Sequence, residues 1–125
     1  MKLLGTAIFA FAIAAAILLA GMLAADAAPR HNHVVGRPSA WCGWFARFNF
    51  LGYDPGPEYN LAANWRRIGS QDYTPHTGDI VVWPHHVGKI AGQCNGSWCS
   101  VWSGNDGHAV RTRMRSVAGA VFRRV

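Results

Sequence analysis

Residues 39–52, SAWCGWFARFNFLG, decide how the rest of the chain is read. Trp41, Trp44, Phe45, Phe48 and Leu51 recur at the three- and four-residue spacing of one buried helix face, with Arg47 and Asn49 on the other side. Ser39 suits the N-cap and Gly52 the stop, so the spacing predicts a short amphipathic helix. Cys42 then stands in the first turn, where unpaired backbone N–H groups and the positive end of the helix dipole favour thiolate over thiol. The plain alternative for Cys42 is a small buried hydrophobe packed among aromatics.

The 125 residues, half of them hydrophobic, suffice for one small core and leave no room for a second domain once a leader is set aside. Lys2 is followed by a charge-free run from Leu3 to Ala25, and Ala25-Asp26-Ala27 has the small-x-small form that signal peptidase cuts. A signal peptide over residues 1–27, an irregular segment over 28–37 and one domain over 38–125 are therefore expected. The apolar run also meets the ~20 residues needed to cross a bilayer, so a retained anchor is the alternative, and membrane contact is expected only in that case.

The net charge is +6, and removing residues 1–27 takes away one Lys and one Asp and leaves it unchanged. The basic residues are scattered apart from Arg111, Arg113 and Arg115, and no nucleic-acid motif accompanies them, so nucleic acid is not the expected partner. For an exported protein the nearer polyanions are the cell wall and lipid headgroups. A monomer in the periplasm or outside the cell is expected.

Export also governs the three cysteines. Cys94 and Cys99 bracket Asn95-Gly96-Ser97-Trp98, and Asn-Gly is a tight-turn signal, so these two are expected to form a disulfide across a hairpin. Cys42 is then the free thiol. A two-cysteine metal clip is the rival, but no histidine lies at a suitable spacing beside the pair. His31 and His33 alternate near the start of the domain, where solvated side chains are the ordinary outcome. No metal and no cofactor is expected.

After the first helix, Tyr53 to Pro57 reads as a turn, and Leu61, Ala62, Trp65 and Ile68 give a second short helix ended by Gly69. Ser70 to Thr77 reads as loop. Strands are predicted at Asp79–Trp83, His86–Gly92, Ser100–Ser103 and His108–Met114, with a last one at Val121–Val125. Helices first and an antiparallel sheet afterwards is the α+β pattern, the helices packed on one face.

Three motifs taken in order, Trp41-Cys42, Gly78-Asp79-Ile80-Val81-Val82 and His86-Val87-Gly88, resemble the papain-like cell-wall hydrolases of the CHAP and NlpC type over roughly residues 38–113. Lys89 departs from the pattern, standing where an aliphatic is usual, and Pro84-His85-His86 offers two histidines. His86 is preferred because it immediately precedes Val-Gly. The resemblance implies a papain-like fold, amide hydrolysis in peptidoglycan, and Asn105 at the position whose side chain orients the catalytic imidazole.

Hydrolysing an amide requires a nucleophile, a base that takes its proton and returns it to the leaving amine, and a group that orients the base. Cys42 and His86 fill the first two roles, with a thiolate–imidazolium pair expected near neutrality. If Asp106-Gly107 make a two-residue turn, Asn105 and His108 form a cross-strand pair and either reaches His86, so His108 is the alternative to Asn105. The Cys42 backbone N–H is the expected oxyanion donor. Trp41 and Trp83 adjoin this site and are candidates for lining a substrate cleft, where arginines would meet peptide-stem carboxylates. Two other readings share these residues: a non-catalytic envelope-binding module and a secreted antibacterial effector.

Overall fold

The computed structural model describes residues 36–125, so the expected leader and most of the segment after it lie outside the described residues. Helix α1 spans Cys42–Asn49, and two 3₁₀ helices follow at Pro57–Asn60 and Ala62–Arg67. Strands β1 (Ser70–Asp72), β2 (Ile80–Trp83), β3 (His86–Asn95), β4 (Trp98–Ser103), β5 (Arg111–Ser116) and β6 (Val121–Arg124) complete the chain. They form one antiparallel sheet in the order β1-β6-β2-β3-β4-β5. The architecture is α+β, as the element order predicts. Among the described residues no helix is long and apolar enough to cross a membrane.

Successive strand residues point to opposite faces, and the two apolar clusters follow that alternation. Ile80, Val82 and Val87 join Trp41, Cys42, Phe45, Ala46, Phe50 and Trp65 on the helix face. Val81, Ile90, Cys99, Val101 and Val117 form the second cluster on the other face, with Trp83 and Phe122 at its edge. Burying a side chain such as Phe45 contributes ~1.5–3 kcal/mol, so the first cluster is what holds α1 on the sheet.

Helix α1 departs from the expected pattern at both ends. Its N-cap is Trp41 rather than Ser39, and no side chain caps it. It stops at Asn49, where the Phe50 N–H donates to the Ala46 carbonyl and the Phe50 carbonyl accepts from Lys89 Nζ at 3.0 Å. The unusual lysine of β3 thus closes the helix C-terminus. Because the chain leaves the helix at Asn49, Phe50 turns into the core, and Phe48, expected on the buried face, is 54% exposed. Gly43 lies under the first 3₁₀ helix so tightly that a Cβ there would meet the Tyr59 carbonyl oxygen at 2.5 Å and the Asn60 carbonyl oxygen closer still.

Three further expectations are corrected. The second short helix forms, as a 3₁₀ helix in which the Trp65 indole donates to the Tyr59 carbonyl at 2.7 Å, but Leu61, expected on its apolar face, precedes it and is 62% exposed. Ser70–Asp72, read as loop, pairs with β6 as an edge strand. The β4–β5 connection is not a two-residue turn: Ser103 pairs with Arg111, so residues 104–110 form the loop and Asn105 and His108 are not a cross-strand pair. Both adopt left-handed backbone, with φ of 52° and 66°.

Candidate active site

The β2–β3 hairpin sets the site. Trp83 pairs with His86, so Pro84 and His85 alone make the turn, and His85 is exposed at its tip. Cys42, at the start of α1, reaches this turn from the helix face: its Sγ lies 3.8 Å from the His85 carbonyl oxygen, to which it donates. Cys42 is thereby one peptide unit from His86. It is the free cysteine and is 4% exposed, whereas Cys94 and Cys99 are register partners joined by a disulfide, as expected.

His86 belongs to the other pleat of the sheet, the one that carries Trp83 and Val101. Its ring packs on Trp83 with centroids 5.6 Å apart, and its Nε2 lies 3.0 Å from Ser103 Oγ. Burial pushes the imidazole down to about 4, reinforced by the positive Arg115 and Arg113 and opposed by Asp106. The resting ring is therefore neutral at neutral pH, and the imidazolium expected from sequence is not its resting form. Among the described residues, no hydrogen bond joins Cys42 Sγ to the imidazole, and His86 Nδ1 has no hydrogen-bond partner.

Ser103 is the residue that sequence reading missed. A serine in an apolar strand carries no chemical signature, but it stands two residues beyond Val101 and so shares the pleat with His86. Asn105 follows in the next loop, which is pressed against α1 at Gly104, where a Cβ would collide with Phe45. Neither Asn105 nor His108 is hydrogen-bonded to His86. Trp41 is buried beside Cys42, edge-on to Phe45, with the Arg37 guanidinium 4.2 Å over its ring. Trp83 is half-buried between His86 and Arg115, whose guanidinium lies 4.8 Å from its ring centroid.

The loop after Ser103 is braced by Asp106, whose 3%-exposed carboxylate accepts from Arg113 Nε at 2.7 Å and lies 3.8 Å from Arg115. Its backbone N–H also bonds the Ala109 carbonyl across the loop. Burial works against the charge of Asp106, but Arg113 and Arg115 outweigh it and hold the carboxyl below its usual range.

A separate polar cluster joins β1 to the start of β2. Asp72, His76 and Asp79 bring ligand-type atoms within 4.8 Å of one another, the spacing a metal ion would use. These atoms already serve one another: His76 Nδ1 meets Asp72 at 2.7 Å, Arg124 meets Asp72 at 3.1 Å, and Asp79 accepts from the His76 N–H at 2.9 Å. Burial, and then the neighbouring Asp72 carboxylate, pushes Asp79 up, while its hydrogen bond pulls Asp72 down. The cluster is a structural clasp.

A surface cavity of ≈ 350 Å³ lies at the far end of α1 and is lined by Phe50, Leu51, Gly52, Tyr53, Ile68, Gly69, Lys89 and Val125. Neither Cys42 nor His86 lines it, so the candidate site is defined by the thiol, imidazole and hydroxyl rather than by this cavity. No protein-family model, curated protein or solved structure matches the chain.

Proposed function

We propose that the chain is an exported cysteine hydrolase of papain-like architecture that cleaves amide bonds in peptidoglycan. The observation carrying this reading is the 3.8 Å approach of Cys42 Sγ to the His85 carbonyl, which sets a thiol at the turn launching a neutral imidazole. With Nε2 engaged by Ser103, the tautomer that donates to the serine leaves the Nδ1 lone pair as the base. Nδ1 takes the Cys42 proton as sulfur attacks the amide carbon, and the imidazolium returns that proton to the leaving amine as the carbon–nitrogen bond breaks. Water, deprotonated by the same nitrogen, then hydrolyses the thioester. The Cys42 N–H, in the first turn of α1, lacks an intrahelical acceptor and is available to the oxyanion.

Peptidoglycan as substrate rests on the motif resemblance, the expected leader and the charge of +6. A second reading draws on the low exposure of Cys42: a thiol 4% exposed and bonded to a backbone carbonyl also suits a structural cysteine in a non-catalytic wall-binding module. Incubating the chain with purified peptidoglycan and identifying released fragments by mass spectrometry separates the two. New amine and carboxyl ends name the bond that is cut. Binding without release selects the module.

A further inference from the structure

Edge strand β5 places Arg111, Arg113 and Arg115 at alternate positions, opposite Ser103, Val101 and Cys99. The pleat turns all three to the face that holds His86 and Trp83. Among the described residues, Asp106 is the one carboxylate paired with these guanidiniums, and the pairing is unequal. Arg113 grips it with Nε and Nη2, whereas Arg115 approaches only with Nη1, at 3.8 Å, beyond hydrogen-bond distance. Arg115 is held by this looser ion pair and by its stack on Trp83, is 25% exposed, and among the described residues makes no side-chain hydrogen bond, while the His86 imidazole packs against the same Trp83 ring.

We propose that Arg115, stacked on Trp83, binds a carboxylate of the substrate close to the scissile amide, so that the substrate class is an acidic peptide. This rests on the Cys42–His86 reading and deepens it. A planar fork of five donors matches a carboxylate bidentately, and partial burial strengthens that match over one in open water. Trp83 and Asp106 fix the guanidinium before the ligand arrives, so little side-chain freedom is lost on binding. The anion also has a consequence for the chemistry. Arg115 and Arg113 both oppose protonation of His86, and a bound carboxylate offsets them just when the ring must accept the thiol proton.

The test uses the chain carrying Cys42→Ala, so that ligand survives, and two synthetic stem peptides differing only in a free carboxylate or a carboxamide beside the scissile bond. Calorimetry should give roughly tenfold or tighter binding of the acid, the scale of one charge-assisted hydrogen-bonded contact. Adding Arg115→Gln should erase the difference by weakening the acid alone, and Arg115→Lys should restore part of it. Equal affinity for acid and amide, no binding of either, or an equal loss on both with Arg115→Gln overturns the proposal. Hydrolysis of both peptides by the chain with Cys42 intact is measured in parallel. Discrimination without hydrolysis supports the carboxylate site while overturning the catalytic reading, and hydrolysis without discrimination does the reverse.

Discussion

The imidazole Nε2 of His86 lies 3.0 Å from the hydroxyl oxygen of Ser103, a contact that occupies Nε2 and leaves Nδ1 as the nitrogen the proposed mechanism uses. Both residues occupy the same pleat of adjacent strands, so the sheet itself aims the ring. Ser103 is fully buried, which keeps water from replacing the contact.

Ser103→Ala should therefore slow hydrolysis through kcat. A neutral hydrogen bond worth ~1 kcal/mol corresponds to roughly a fivefold loss, far smaller than removal of Cys42 or His86. Asn105, with φ of 52°, is suited to its turn by conformation, so Asn105→Gly should retain most activity and His108→Gly likewise. Steady-state kinetics decides the matter: a larger loss in Asn105→Gly than in Ser103→Ala would move the orienting role to Asn105.

The pH profile follows from the depressed imidazole. A base works only when unprotonated, so kcat/KM should rise with pH through about 4 and already be on its plateau near pH 6, where an ordinary histidine would still be largely protonated. Because Arg115 is among the causes of the depression, Arg115→Gln should shift this acid limb upward. An acid limb near 6.5 in the unmutated chain would contradict the buried, neutral ring.

Much of this arrangement was legible in the sequence, and the failures have physical causes. The Ile80–Trp83 and His86 strands, the Cys94–Cys99 pair and the Cys42 helix all follow from alternation, turn residues and aromatic spacing. β1 was missed because Ser70, Gln71 and Asp72 form a polar edge strand with only Asp72 buried. Phe48 is exposed and Phe50 lies in the core because the helix ends before Gly52, closed by a lysine 39 residues along the chain that no local pattern reveals. The Asn105–His108 pairing failed on register, since a loop of residues 104–110 separates β4 from β5. Ser103 and Arg115 became visible only once that register was fixed.

Packing at Gly43 yields a stability prediction. The atoms a Cβ would meet are backbone carbonyl oxygens of Tyr59 and Asn60, which cannot swing aside as a flexible side chain would. Gly43→Ala should destabilise the fold by ~1–3 kcal/mol despite the better helix propensity of alanine. Chemical denaturation measures it; a variant as stable as the parent would mean that α1 does not rest on the 3₁₀ helix this closely.

The Asp72–His76–Asp79 clasp should make stability depend on pH in a defined direction. Asp72 raises His76 above its ordinary 6.5, so the folded state holds the proton more tightly than the unfolded chain. This stabilisation is complete below the unfolded value and is lost as pH rises through the folded one. His76→Asn should lower the denaturation midpoint at about pH 5.5 and have less effect at about pH 8.5. The opposite ordering would mean that His76 is not charged in the clasp.

Amide cleavage by the proposed mechanism requires a covalent thioester on Cys42, and acid quenching of the chain mixed with peptidoglycan fragments, followed by peptide mapping, tests this most directly. A mass increment matching the acyl part of the substrate is expected on the peptide containing Cys42. The adduct should be absent in Cys42→Ala, and its formation should be slowed at least ~10²-fold in His86→Ala, the scale of a lost general base. Amide cleavage that persists in folded Cys42→Ala at the parental rate would contradict the account.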